Sequence, residues 1–277
     1  MNVTSILIAA GIVAAVGIFI GLFLGLAGIR FRVEVDEKEE AVLNALPGNN
    51  CGGCGFAGCS GLAAAIAKGE APVNACPVGG EPVAKVIGEI MGVSADAGKK
   101  MVAFVHCQGD CEKAKTDYAY DGAEDCRIMS FVPGGGPKSC NQGCLGYGTC
   151  VKECPFDAIH IVNGIAVVDR EACKACGKCV AACPKKLISL VPYDAQYAVA
   201  CKNTERGPVT MKACEVGCIG CMLCAKNCPA EAVKIENFCA SIDPEKCIGC
   251  GACKEKCPKK AIVKTNYRLY KRNPFHI

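Results

Sequence analysis

The hydrophobic pattern begins with one long apolar segment and then changes to short amphipathic segments separated by polar loops. Residues 1–29 carry no charged side chain, and residues 6–29 consist of Ala, Gly, Val, Ile, Leu and Phe. A helix of that length spans about 36 Å at about 1.5 Å per residue, more than the hydrocarbon core of about 30 Å. The pattern therefore predicts a transmembrane anchor over residues 1–29.

The charges around this segment predict its orientation. A signal peptide needs a basic start and a shorter apolar stretch, whereas no Lys or Arg precedes Arg30 here. Arg30 and Arg32 follow the apolar run, so the positive-inside rule predicts a single pass through the cell (inner) membrane with the soluble domains on the cytoplasmic side. A linker over residues 30–46 would join the anchor to those domains.

Later segments are short. Residues 60–68 are rich in Ala and residues 81–92 are amphipathic, so both predict helices, while residues 101–105 predict a buried strand. Residues 158–169 and 232–243 alternate as hairpins, and Asn163-Gly164 is a strong two-residue turn signal. The fold class expected is α+β.

The composition adds a constraint, because the chain has 26 Cys, no Trp and few aromatic residues. A chain this poor in large side chains cannot rely on an ordinary core, so bound cofactors must supply much of the folding free energy. A secreted disulfide scaffold is excluded by the cysteine spacing and the lack of an export signal, which indicates a reducing compartment. The net charge of +4 is too small to indicate nucleic-acid binding.

Four groups of cysteines, each ending in Cys-Pro, carry the candidate chemistry. Three of the groups read C-x2-C-x2-C-x3-C-P, the bacterial ferredoxin signature for [4Fe–4S] clusters, in which the fourth Cys binds the other cluster of a pair. The groups are Cys140/Cys144/Cys150/Cys154, Cys173/Cys176/Cys179/Cys183, Cys218/Cys221/Cys224/Cys228 and Cys247/Cys250/Cys253/Cys257.

These groups form a duplication, because adding 74 to eight cysteine positions between Cys140 and Cys183 lands on a cysteine every time. We therefore expect two tandem two-cluster ferredoxin-like modules, over residues 140–195 and 196–266. Tyr147 stands where the second copy has Cys221, so Cys140 would replace the missing ligand. The expected ligand sets are Cys140, Cys144 and Cys150 with Cys183; Cys173, Cys176 and Cys179 with Cys154; Cys218, Cys221 and Cys224 with Cys257; and Cys247, Cys250 and Cys253 with Cys228.

A further [4Fe–4S] domain is expected over residues 47–92, where Cys51, Cys54, Cys59 and Cys76 lie among glycines that allow backbone amides to approach the sulfurs. A four-cysteine zinc site is the alternative, although zinc motifs usually consist of two C-x2-C pairs. Residues 93–139 would be a cysteine-containing connector. By spacing, Cys126 and Cys201 look like equivalent positions of the duplication, and Cys239 looks like a core residue.

The cofactor prediction is five [4Fe–4S] clusters, with a sixth left open. The sixth could draw its ligands from Cys107, Cys111, Cys126, Cys140, Cys201 and Cys214, and spacing does not choose among them. Buried, unligated thiols are the alternative for each. No nucleotide-binding loop and no catalytic Ser/His/Asp or Cys/His pairing is visible in the sequence, so we expect electron transfer without a substrate-converting site.

The uncharged N-terminal segment, the CGGCGFAGC element with Cys76, and the ferredoxin motifs together resemble the RnfB family of the Rnf complex, over nearly the whole chain. The resemblance implies a subunit of an ion-translocating ferredoxin:NAD+ oxidoreductase. Such a subunit would accept electrons from soluble reduced ferredoxin and pass them to flavoprotein and cluster subunits. It would hold neither the NAD site nor the ion path, and the coupling ion, Na+ or H+, stays open.

Two other functions remain as alternatives. One is a polyferredoxin subunit of another membrane redox complex, such as a hydrogenase. The other is a membrane-tethered structural zinc protein, which would be colourless where an iron–sulfur protein is brown. The basic tail over residues 267–277 would be a solvated end, or a contact with acidic ferredoxin or with anionic membrane lipid.

Overall fold

The computed structural model describes residues 3–30, 36–95 and 98–266. The expectations for Arg32 and for the basic tail over residues 267–277 lie outside the described residues. The described part contains both helices and strands, in agreement with the expected α+β class.

The first helix, α1, runs from Val3 to Arg30. Its side chains are described for residues 11–27 and for Arg30. Ten large apolar side chains between Ile12 and Leu26 are each at least half exposed. Taken over the described residues alone, no helix is long and apolar enough to cross a membrane.

A small helical domain follows, made of α2 (Glu37–Ala45), α3 (Cys59–Ala67) and α4 (Gly80–Met91), and the two helices expected near residues 60–68 and 81–92 are confirmed. Asp36 caps α2 by accepting a 3.0 Å hydrogen bond from the backbone N–H of Lys38. The core of this domain is formed by side chains from all three helices, including Val42, Leu62, Ile66 and Ile87. Cys54, Cys59 and Cys76 pack against that core.

The remaining strands form two copies of one arrangement. In the first copy, β1 (Met101–Val105) pairs antiparallel with β4 (Ile188–Pro192), and β2 (Ile159–Val162) pairs with β3 (Ile165–Val168). In the second, β5 (Tyr197–Val199) pairs with β8 (Ile262–Lys264), and β6 (Val233–Glu236) pairs with β7 (Cys239–Ile242). We call the two copies module 1 and module 2. The predicted turn at Asn163 and Gly164 is confirmed, with φ values of 48° and 72°.

Short helices complete the modules. Two 3-10 helices, Ile128–Phe131 and Pro133–Gly135, lie in the segment before the first cysteine motif. The others are α5 (Thr149–Lys152), α6 (Lys178–Ala182), α7 (Gly207–Ala213), α8 (Leu223–Lys226) and α9 (Ala252–Glu255).

The strand register corrects one equivalence that spacing suggested. Val105 pairs with Ile188, and Val199 pairs with Ile262, which lies 74 residues after Ile188. Cys107 and Cys201 each follow two residues after those paired valines, so they are the equivalent pair. The expectation that Cys126 and Cys201 correspond was wrong, because the segment containing Cys126 is an insertion between β1 and the first motif.

Residues 106–115 join the two modules. The ring Nδ1 of His106 lies 2.7 Å from the carbonyl oxygen of Val199 in β5. The side chain of Gln108 donates a 2.6 Å hydrogen bond to the carbonyl of Lys260. An isolated antiparallel bridge pairs Ala114 with Cys214. These contacts hold Cys107 at the boundary between the modules.

Candidate metal centres

The third cysteine of each ferredoxin motif lies in the first turn of a short helix, in α5, α6, α8 or α9. The residue two positions earlier has a positive φ in every case, and it is glycine in three of the four motifs. Glycine adopts this conformation without the steric cost of a Cβ. These residues are Gly148, Gly177, Met222 and Gly251, with φ values of 74°, 77°, 63° and 78°.

The fourth cysteine of each motif accepts a hydrogen bond at its sulfur from the backbone N–H four residues later. The proline that follows each of these cysteines has no N–H to offer. Hydrogen bonds to cysteine sulfur stabilise the thiolate and raise the reduction potential of a bound cluster. The sulfurs are those of Cys154, Cys183, Cys228 and Cys257, with N to Sγ distances of 3.4, 3.4, 3.3 and 3.3 Å.

Two groups of four cysteines come together as the sequence analysis expected. Burial, together with charge on its three neighbours, raises the pKa of Cys179 to about 12. Burial and the neighbours of Cys253 raise the pKa of that thiol as well. We call these groups set 1b (Cys154, Cys173, Cys176 and Cys179) and set 2b (Cys228, Cys247, Cys250 and Cys253).

A third group surrounds one cavity in module 2, again in the expected combination. Burial and then charge on Cys218 raise the pKa of Cys224 to about 11. The backbone N–H of Ala240 donates a 3.4 Å hydrogen bond to the sulfur of Cys218. This is set 2a: Cys218, Cys221, Cys224 and Cys257.

The corresponding group in module 1 differs from the expectation. Cys126, and not Cys140, lines the cavity with Cys144, Cys150 and Cys183. Burial raises the pKa of Cys150 to about 12, and charge on Cys144 and Cys126 contributes. A 3.0 Å hydrogen bond from the N–H of Cys126 to the Thr149 hydroxyl holds the inserted segment beside the motif. These four cysteines are set 1a.

Cys140 belongs to a group at the boundary between the modules, which we call the bridging set: Cys107, Cys140, Cys201 and Cys214. Burial raises the pKa of Cys140 to about 12, with contributions from charge on the other three. A Cβ built on Gly109 would lie 3.1 Å from the sulfur of Cys214 and 3.9 Å from that of Cys107. The set consists of two equivalent pairs, Cys107 with Cys201 and Cys140 with Cys214. The register of the duplication carried this signal, because Cys214 was unused in module 2.

The N-terminal set is Cys51, Cys54, Cys59 and Cys76, and it lies against module 1. The side-chain oxygen of Asn50 accepts a 2.8 Å hydrogen bond from the N–H of Cys59 at the start of α3. Burial raises the pKa of Cys76, and charge on Cys59 and Cys51 adds to the increase. A Cβ on Gly53 would lie only 2.6 Å from the carbonyl oxygen of Cys176 in set 1b, so the two loops touch through backbone atoms.

Two cysteines lie outside these six sets of described residues. Cys111 is exposed. Cys239 is half-buried against the core of module 2, and its thiol donates a hydrogen bond to the carbonyl of Cys201 at 3.3 Å. Hydrogen bonds from Cys239 also lower the pKa of Cys201 to about 7 and that of Cys218 to about 6.

The donor chemistry of all six sets fits [4Fe–4S] clusters, since four thiolates are the ligands that such clusters take. Sets 1a and 2a each surround an apolar cavity. Among the described residues, no three His, Cys, Asp or Glu side chains are grouped closely enough to hold a single metal ion.

Comparison with protein families supports this chemistry. Residues 46–78 match a family described as a putative Fe-S cluster domain. Residues 137–184 and 172–232 each match a family described as a 4Fe-4S dicluster domain. Residues 240–263 match a 4Fe-4S binding domain. The matched regions contain 4Fe-4S domains of the ferredoxin type.

Several curated proteins are similar over most of the chain, and each is the subunit designated B in its complex. That of the Na(+)-translocating ferredoxin:NAD(+) oxidoreductase complex of Acetobacterium woodii is 46% identical, with 87% of this chain and 73% of the relative covered. That of the ion-translocating oxidoreductase complex of Methanosarcina acetivorans is 42% identical, covering 85% and 89%. That of the proton-translocating ferredoxin:NAD(+) oxidoreductase complex of Clostridium ljungdahlii is 41% identical, covering 84% and 82%.

Proposed function

This chain belongs to the RnfB family of ion-translocating oxidoreductase complexes, and on that premise we propose that it conducts electrons from soluble reduced ferredoxin to membrane-bound partner subunits. It is an iron–sulfur electron-transfer subunit of an oxidoreductase complex. The NAD site and the ion path would belong to the partners, which would include flavoprotein and cluster subunits.

Each of the six cysteine sets would hold one [4Fe–4S] cluster. Such a cluster, when bound, supplies reversible one-electron chemistry at a potential set by its hydrogen bonds, charge and exposure. The protein's own contribution is to fix four sulfurs, exclude water from most of them and donate backbone N–H groups to them. The bridging set would be the sixth centre, with Cys107, Cys140, Cys201 and Cys214 as its ligands.

The contact between neighbouring sets is the observation that carries this proposal. The N–H of Cys144 in set 1a donates a 3.4 Å hydrogen bond to the sulfur of Cys107 in the bridging set. The N–H of Cys218 in set 2a donates an equivalent 3.3 Å bond to the sulfur of Cys201. Within module 1, charge on Cys179 of set 1b acts on Cys150 of set 1a. With the contact between Gly53 and Cys176, these links connect the N-terminal set to module 2.

Helix α1 would anchor this series in the cell membrane by a single pass, with the cysteine domains on the cytoplasmic side. The proposal is supported by the uncharged sequence of residues 1–29 and by the exposed apolar side chains between Ile12 and Leu26. Membrane lipid would then cover those side chains. The N-terminal set, which follows the helix in the chain, would be the set nearest to the membrane partners.

The experiment that tests the proposal removes one ligand of the N-terminal set, by Cys54→Ala, in the complete complex. Ferredoxin-driven NAD+ reduction should fall strongly, while the centres of both modules stay reducible by dithionite as seen by electron paramagnetic resonance (EPR). Cys111→Ala removes an exposed cysteine outside the six sets and is the matched control. A wild-type rate in the Cys54→Ala variant would show that electrons do not pass through this domain.

A further inference from the structure

The two modules differ in what covers equivalent cysteines. Cys176 in module 1 and Cys250 in module 2 are related by the 74-residue offset, yet Cys176 is 9% exposed whereas Cys250 belongs to the exposed class. The loop containing Gly53 covers Cys176, and its backbone is in contact with the carbonyl of that residue. In module 1, this position is therefore a docking point between two cysteine-bearing domains.

Module 2 presents the same loop uncovered. Ile248 is 68% exposed, although it lies between two cysteines of set 2b. On its inner side the loop packs on module 2, since Cβ positions on Gly249 and Gly251 would meet the side chains of Gln196 and Tyr197. The outer side of the loop therefore has an apolar residue and a cluster ligand at the surface.

Exposed lysines surround this loop. Lys246, Lys254 and Lys256 are exposed, beside exposed Glu245 and Glu255. Between Pro244 and Lys260 the sequence holds five lysines and two glutamates. The face is therefore basic around an apolar centre, an arrangement that steers an acidic partner to a brief encounter.

We propose that this face, formed by Lys246, Ile248, Cys250 and Lys254, is the docking site for a small acidic one-electron carrier. The inference rests on the proposed function and adds the place at which the carrier binds. One electron leaves the reduced carrier and enters the centre held by set 2b, while no bond is made or broken and no proton moves. Set 2b is the end of the series opposite the N-terminal set, so the carrier and the membrane partners act at opposite ends.

A second exposed cysteine marks a competing face. Cys221 of set 2a is exposed, with Met222 and Leu223 beside it at 50% and 43% exposure. In module 1 the equivalent residue Tyr147 has its ring 6.2 Å from that of Tyr120 in the inserted segment. This face is apolar where the Cys250 face has lysines around it, so it fits a permanent subunit contact better than a transient acidic carrier.

The test measures binding of a small acidic ferredoxin to the anaerobically purified complex by calorimetry, at low and high salt. The double variant Lys246→Glu/Lys254→Glu should bind at least tenfold more weakly at low salt. Lys174→Glu/Lys212→Glu makes the same charge change at two exposed lysines elsewhere and should stay within twofold of wild type. Iron content per chain should be equal in all variants.

Three results would overturn the docking site: no weakening in the first double variant, equal weakening in both double variants, or a tenfold loss with Leu223→Asp on the competing face. Each of these requires that the wild-type complex binds the ferredoxin. A wild-type complex that neither binds the ferredoxin nor takes electrons from it would instead contradict the proposed function.

Discussion

At the scale of single residues, Cys239 distinguishes the two modules. It occupies in β7 the position of Ile165 in β3, 74 residues earlier, and Ile165 is fully buried. Cys239 is half-buried, and its hydrogen bonds reach Cys201 of the bridging set and Cys218 of set 2a. Module 2 therefore has a side-chain donor between two candidate centres where module 1 has only a hydrocarbon.

Replacing Cys239 by Ile should lower the reduction potentials of the centres held by those two sets. A hydrogen bond to sulfur favours the more negative, reduced state, and about 1.4 kcal/mol corresponds to about 59 mV for one electron, so we expect a shift of tens of mV. An EPR-monitored redox titration of the complex measures this shift. Cys239→Ser keeps a donor and should stay closer to wild type. Loss of about four irons per chain would instead identify Cys239 as a ligand.

Gly53 is a second residue whose size matters. A Cβ there would lie 2.6 Å from the carbonyl oxygen and 3.0 Å from the Cα of Cys176, closer than real Cβ contacts come. Gly53→Ala should therefore separate the N-terminal domain from module 1 and cost about 1–3 kcal/mol, the usual effect of overpacking. Chemical denaturation and the rate of ferredoxin-driven NAD+ reduction would both show the change.

Gly61→Ala is the control for that substitution. Gly61 lies in α3 of the same domain, where a Cβ would meet only Phe56 at 3.8 Å. Its stability and rate should match wild type or improve slightly, because Ala favours a helix more than Gly does. Equal rates for the two variants would mean that the close contact at Gly53 is not needed for electron delivery.

At the scale of elements, local patterns predicted most of each module. Hairpin alternation located the two inner hairpins, β2–β3 and β6–β7, and the Asn163-Gly164 signal located the turn between the first pair. Module 2 makes the same turn with Asn237 and Phe238, both at positive φ, so the sequence signal was present in only one copy.

Non-local contacts account for what the patterns missed. Cys126 has no motif around it, and it reaches set 1a because its backbone N–H bonds to Thr149, 23 residues later. Cys140 is drawn away from that set because Lys138 donates a 2.8 Å hydrogen bond to the carbonyl of Gly109, beside Cys107. Such pairings depend on tertiary structure, which one-dimensional spacing does not encode.

Iron counts of double variants test this regrouping of ligands. If Cys126 and Cys144 hold the same centre, Cys126→Ala/Cys144→Ala should lose about four irons, the same as Cys144→Ala alone. Cys140→Ala/Cys144→Ala should lose about eight, because it damages two centres. The reverse result would restore Cys140 to the first motif, as the spacing of the sequence suggested.

At the scale of the whole molecule, the modules have small cores that include their own cysteines. In module 1 the core side chains are mostly Ala, Val and Ile, and Cys150, Cys173 and Cys179 are among them. Bound clusters should therefore supply much of the folding free energy, as metals do in other small domains. Removing iron with a chelator should abolish cooperative unfolding of the modules in calorimetry, and an apo chain with an unchanged transition would contradict this.

The duplicated modules and the N-terminal domain together form one continuous series of cysteine sets. The repeat was visible in the sequence, and so were the ligand groups within its motifs. The continuity was not, because the bridging set takes one cysteine from the end of β1, one from the first motif and two from module 2. The account as a whole depends on that set holding a centre between the modules.

A cryo-EM map of the anaerobically purified complex tests this most directly. We predict one compact four-iron density touching the sulfurs of Cys107, Cys140, Cys201 and Cys214. A disulfide, a single metal ion or free thiols at those four residues would contradict the account, because the two modules would then have no centre joining them.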